Sequence, residues 1–157
     1  MKSGKKYKFE TLAVHAGHAV DASTGAVTEA IHLSTTFERD ADGGYSRGFL
    51  YSRNHNPNRN DLEAALAALE GGAARVAFGS GRAAVTAIFQ GLRPGDHVIA
   101  PVDIYHGTAN VLKHLFAKWG VTASFIDMTN LDTIRSALTP QTKIIWIETP
   151  SNPLLQC

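Results

Sequence analysis

Residues 76–89 read VAFGSGRAAVTAIF. An apolar run stops at Gly79-Ser80-Gly81, and an alanine-rich run with helical spacing begins directly after it. The pattern predicts a strand over 75–78 (RVAF), a tight glycine turn, and a helix that is stopped by Pro94-Gly95. At such a junction the first amides of the helix lack intrahelical acceptors, and the positive end of the helix dipole faces the turn. That combination favours an anion, most often a phosphate, with the Ser80 hydroxyl as a further donor. The same letters also fit a tight turn that holds no ligand.

The repeat continues on both sides. Upstream, Asn56 is a helix cap and Pro57 a first helical residue, with Leu62, Leu66 and Leu69 at helical spacing before Gly71-Gly72. Downstream come an apolar strand HVIAP (97–101), a helix from about Gly107 to Trp119, and a strand VTASFID (121–127). A short helix capped by Thr129 or Asn130 and ending near Leu138, then a strand KIIWIE (143–148), complete the series. Strands alternating with helices predict an α/β fold with a parallel sheet, and apolar strands fit burial on both faces. Residues 1–55 show scattered apolar positions and turn signals at Asp21–Gly25 and Asp40–Gly44, as expected of an extended N-terminal arm. Residues 56–157 are expected to be the first, incomplete part of a cofactor-binding domain. The final ETPSNPLLQC begins a new apolar segment as it stops, which is expected of a fragment.

The bulk properties narrow the function. The 157-residue chain has a formal net charge of +1, which argues against a broad nucleic-acid or acidic-membrane platform. Any anion site must be local. Cys157 is the single cysteine, so no disulfide framework forms within one chain. No apolar run follows the basic N-terminus, and none is long enough to span a bilayer. A soluble, cytoplasmic protein is the expectation.

Other motifs stand beside the glycine turn. Gly79, Gly81 and Ala84 also fit a dinucleotide fingerprint, with Asp103 near the place of a ribose-binding acid. Tyr105, in APVDIYHGT, follows a strand where open α/β sheets place ligands, and it can stack on a planar ring or simply pack at a helix start. Asn152 lies between Pro150 and Pro153 at the same sheet edge. YSRNHNPNR (51–59) is a polar, basic loop that is either solvated or grips an anion. The histidines, including His55 and His106, form no ligand cluster with cysteine or carboxylates at the usual metal spacings.

Taken in order, TLAVHAG (11–17), IHLSTTF (31–37), YSRNHNPNR (51–59), ALEGG (68–72), GSGRAA (79–84), DIYHGT (103–108) and KIIWIETPSNP (143–153) resemble the Cys/Met-metabolism family of pyridoxal-phosphate enzymes. That family includes cystathionine synthases and lyases, methionine gamma-lyase and homoserine-ester sulfhydrylases. The resemblance implies the large domain of an aspartate aminotransferase-like, mostly parallel-sheet fold. It implies a pyridoxal 5′-phosphate enzyme of transsulfuration, a lyase or transferase acting at the β or γ carbon of an amino acid. It also implies subunits paired about their active sites, commonly as tetramers.

The resemblance further implies that backbone amides at Gly81 and Arg82, beside Ser80, hold the cofactor phosphate. Tyr105 stacks on the ring, and Asn152 bonds the ring hydroxyl oxygen. Glu148 belongs to the same strand-end motif, and Tyr51 and Arg53 reach the phosphate of a neighbouring subunit. The chain departs from the family pattern at Arg82, where methionine is usual, at Glu29 or Ala30, where a proline is usual just before IHLSTTF, and at His106, where glycine is common. The Arg82 guanidinium either adds a cation beside the phosphate or points outward. The family's Schiff-base lysine and its pyridinium-pairing aspartate follow the ETPSNP motif. Lys2, Lys5, Lys6, Lys8, Lys113, Lys118 and Lys143 do not lie in that lysine's context, so the 157-residue chain alone is expected not to turn over substrate. A non-catalytic phosphate-binding module and a nicotinamide-binding domain are the alternatives.

Overall fold

The computed structural model describes residues 6–157, which fall into two compact units, one ending at Ala77 and the other beginning at Phe78. In the first unit, helix α1 (Phe9–His15) packs against helix α2 (Pro57–Glu70). Gly17, with φ +76°, makes the approach possible: a Cβ there would overlap the Asp61 carbonyl and lie 3.0 Å from the Ala65 Cβ. Helix α2 starts as its sequence predicts, with the Asn56 side chain accepting from the Asn58 amide at 3.0 Å and Pro57 at the first position. Its row of leucines is less buried than the spacing suggests, with Leu62 and Leu66 exposed.

The polar loop 51–59 is largely structural. Asn58 accepts from the His32 amide at 2.8 Å and donates to the Ala30 carbonyl at 2.6 Å, while Asn56 Nδ2 donates to the His32 carbonyl at 3.2 Å. Two asparagines thus clip the segment 30–32 to the start of α2. Arg59 donates to the carbonyls of Arg53 and Asn54 and pairs with Glu63. Within residues 1–55, helix α1 forms, and a further segment is tied down by these bonds and by a Thr36–Tyr51 bridge.

The second unit is built on a three-stranded parallel sheet. Its order is β2 (Thr122–Ile126), β1 (His97–Pro101), β3 (Thr142–Ile145), with β1 in the centre. All five residues of β1 are buried, which explains why HVIAP reads as a continuous apolar run. Its histidine is satisfied rather than free: His97 Nδ1 bonds Thr142 Oγ1 at 2.9 Å and Nε2 bonds Ser124 Oγ at 3.0 Å, stitching β1 to both neighbours. Helix α3 (Gly81–Phe89) and helix α4 (His106–Asn110), which continues through a wide π-type turn and a tight final turn to Trp119, cover one face. There Val98 and Ala100 meet Phe89, Val111, Leu112 and Phe116, with the Phe89 and Phe116 rings edge-on at 5.7 Å. Helix α5 (Leu131–Ala137) is capped by Asn130 and packs on β2.

The strand expected at 75–78 does not form. A strand requires a neighbour to complete its hydrogen bonds. Here the Ala77 amide donates to Glu63 Oε1 at 3.0 Å instead, and Val76 and Phe78 are exposed. The last strand is also shorter than KIIWIE, although the Trp146 amide still donates to the Ile99 carbonyl at 2.8 Å. No helix of the described residues is long and apolar enough to cross a membrane.

Candidate active site at the carboxyl ends of the strands

The glycine turn leads into α3 even without the preceding strand. Ser80 is the N-cap of α3, and its Oγ accepts from the Ala83 amide at 3.2 Å. Among the described residues the amides of Gly81 and Arg82 make no hydrogen bond, and the space beside Gly81 is open. Two unpaired donors at the positive end of a helix form an anion-binding surface.

Opposite this turn stand the segments that leave β1 and β3. Tyr105 caps α4, and its amide donates to both Glu148 carboxylate oxygens at 3.2 Å. This bond ties the end of β1 to the end of β3. Tyr105 is 43% exposed, and its ring meets His106 edge-on at 5.2 Å. Ser80, Gly81, Arg82, Tyr105, Thr108, Trp146 and Glu148 line one cleft of about 520 Å³. Its size suits a small cofactor, and parallel α/β sheets place ligands at this edge.

Gly107 shapes the cleft wall. A Cβ at this position would press into the Tyr105 ring, 3.1 Å from Cζ, and lie 2.9 Å from Arg82 Nη2. The absence of a side chain therefore makes room for the Tyr105 ring and the Arg82 guanidinium together. The need for glycine here was not legible locally, because it depends on a residue 25 positions earlier in the chain.

The remaining expected residues lie elsewhere. Asn152 is exposed and outside the lining of the cleft, in the loop that follows Glu148. Asp103 lines a separate cavity of about 60 Å³ with Glu148 and Ser151, and its Oδ2 is buried without a partner among the described residues. In the first unit, Tyr51 and Arg53 sit together, with the Arg53 guanidinium 5.1 Å from the Tyr51 ring centroid. Arg53, His55, Arg59 and Arg75 share a basic cleft of about 470 Å³ with Glu63. No group of three or more His, Cys, Asp or Glu side chains among the described residues is placed to hold a metal.

A parallel α/β unit with a helix N-terminus and an exposed tyrosine lining one cleft is the class of site suited to a phosphorylated, planar ligand. Comparison with known proteins identifies the family. The sequence profile described as Cys/Met metabolism PLP-dependent enzyme matches residues 10–157, and the chain belongs to that family. It is 47% identical over 146 residues to a cystathionine gamma-synthase of Mycobacterium tuberculosis, covering 92% of this chain and 38% of that protein. A Homo sapiens cystathionine gamma-lyase is 44% identical over 146 residues, covering 92% of this chain and 36% of the relative. Among solved structures, metB from Corynebacterium glutamicum superposes with a TM-score of 0.92 at 38% identity, covering 96% of this chain and 39% of that one. The Lactobacillus plantarum cystathionine gamma-lyase complexed with L-serine gives 0.88 at 40% identity, covering 95% and 39%. The chain thus spans about two fifths of the length of these relatives. The family's cofactor is pyridoxal 5′-phosphate. The family match lends the nicotinamide reading no support.

Proposed function

We propose that this chain supplies the phosphate- and ring-binding part of a pyridoxal-phosphate enzyme of sulfur amino acid metabolism. The parent activity is elimination or replacement at the β or γ carbon of cysteine, cystathionine, methionine or a homoserine ester. The observation that carries the proposal is the 520 Å³ cleft, where two unpaired amides face an exposed tyrosine ring. Those donors and that ring match a dianionic phosphate joined to a flat heterocycle.

Each residue then has a physical task. Gly81 and Arg82 offer their amides to the phosphate, with the capping Ser80 at the same turn. Tyr105 supports one face of the ring. Glu148 fixes the Tyr105 backbone, which sets where that ring stands. The resemblance gives Asn152, which lies outside the lining of the cleft, the ring hydroxyl oxygen as its target. When bound, pyridoxal phosphate supplies an electron sink for bonds at the amino-bearing carbon of the substrate. Tyr51 and Arg53 serve the phosphate of a neighbouring copy, so the working form is a homo-oligomer, a tetramer built of active-site pairs, in the cytoplasm. A fork of guanidinium donors and a phenolic hydroxyl suit that target. Residues 1–55 are the arm that meets the neighbour, and 56–157 begin the cofactor domain.

A binding comparison tests the proposal. Pyridoxine 5′-phosphate has no aldehyde, so it cannot react with surface lysines. Equilibrium dialysis should show retention of this compound and not of NAD. Retention of NAD alone would replace the proposal with the dinucleotide reading.

A further inference from the structure

Arg82 is the position at which the sequence departs from the family pattern inside the cleft. Its amide belongs to the phosphate turn, but its side chain has no role in that pattern. In the structure the guanidinium is turned into the cleft, with Nη2 2.9 Å from the space that Gly107 leaves empty and next to the Tyr105 ring. Among the described residues it has no ion-pair or hydrogen-bond partner. Side chains near a helix N-terminus lean back over that end, which directs this one toward the unpaired amides of its own turn.

An unpaired guanidinium lining the same cleft as two unpaired amides makes a stronger anion site than the amides alone. Charged donors make shorter and roughly twice as strong bonds to phosphate oxygens, and arginine can present two of them in parallel. We infer that the Arg82 side chain is an additional ligand for the cofactor phosphate, held by the gap at Gly107, so that one residue offers both amide and guanidinium. This rests on the cofactor reading above. Its consequence is a phosphate grip made within this chain, independent of the neighbour's Arg53.

The test uses the full 157-residue chain with two probes, pyridoxine 5′-phosphate and pyridoxine, measured by calorimetry at two salt concentrations. The wild-type chain should prefer the phosphorylated probe, and salt should weaken that preference. Arg82→Met should reduce affinity for the phosphorylated probe about tenfold, flatten its salt dependence and leave pyridoxine unchanged. Arg82→Lys should recover part of the loss. Arg82 is exposed, so circular dichroism and melting should show all variants folded alike. Equal affinity of Arg82→Met and wild type for the phosphorylated probe overturns the inference and leaves the cofactor reading standing. So does an equal loss for both probes, which would place the guanidinium on another part of the molecule. A wild-type chain that binds neither probe overturns the cofactor reading and the inference with it.

Discussion

Gly107→Ala is the substitution whose effects the structure separates most cleanly. Alanine favours a helical position over glycine by about 1 kcal/mol, and Gly107 is the second residue of α4. Backbone propensity alone therefore predicts a more stable protein. The new methyl, however, would sit 3.1 Å from Tyr105 Cζ and 2.9 Å from Arg82 Nη2. Comfortable contacts lie at about 3.5–4.0 Å and the methyl would overlap Tyr105 Cε1, so the ring must retreat by about an ångström or more and the guanidinium by roughly half an ångström. The guanidinium is the end of a flexible side chain and can give way. The Tyr105 ring is 43% exposed, so it can swing outward without disturbing the core. Stability should then change by no more than about 1 kcal/mol in either direction. A lost ring stack is worth about 0.5–1.5 kcal/mol, which is roughly a two- to tenfold loss of affinity. Calorimetric titration should show that loss for pyridoxine and a larger one for pyridoxine 5′-phosphate, whose Arg82 contact is displaced as well, beside an almost unchanged melting curve. Unchanged affinity for both compounds would refute the placement of the Tyr105 ring as the cofactor's support. Global unfolding would refute the premise that the ring can move.

Other perturbations have equally direct outcomes. Ser80→Ala removes the cap on α3 and should cost about 1 kcal/mol in urea unfolding while also weakening pyridoxine 5′-phosphate binding. Asn56→Ala removes the α2 cap and the link to the His32 carbonyl, so hydrogen exchange around 30–32 and 57–60 should accelerate together. Phe116→Ala empties a fully buried position against Phe89 and should cost about 3–5 kcal/mol, enough to lose cooperative unfolding of the sheet unit. Bonds from the Ser23 hydroxyl and the Thr24 amide hold the Asp21 carboxyl down from the ordinary 3.8 to about 2. A depressed value means that the turn's stabilisation is present above pH 3.8 and is lost as pH falls through 2, which carboxyl carbon shifts in an NMR titration should trace.

The sequence disclosed the parts governed by local chemistry. Asn56-Pro57 announces α2, the alanine-rich run after Gly79-Ser80-Gly81 announces α3, and HVIAP announces a strand, which is buried along its whole length. The sheet follows from their alternation, and the cleft from the glycine turn and Tyr105. What stayed hidden depends on partners distant in sequence. RVAF has strand letters, yet the Ala77 amide goes to Glu63, 14 residues earlier, and no strand results. Asn58 reads as a loop residue, yet it clips the backbone at Ala30 and His32. Gly107 reads only as the start of a helix, and its purpose appears when Arg82 and Tyr105 meet beside it. The motif order of the family supplied roles for residues whose surroundings no local pattern could supply.

The most direct measurement is an amide-resolved NMR titration of the 157-residue chain with pyridoxine 5′-phosphate. The account predicts saturable shifts that are largest at Gly81, Arg82 and Tyr105, with inorganic phosphate moving only the first two. Saturable binding whose shifts fall outside the cleft, or no shift at Gly81 and Arg82 at saturating ligand, would contradict it.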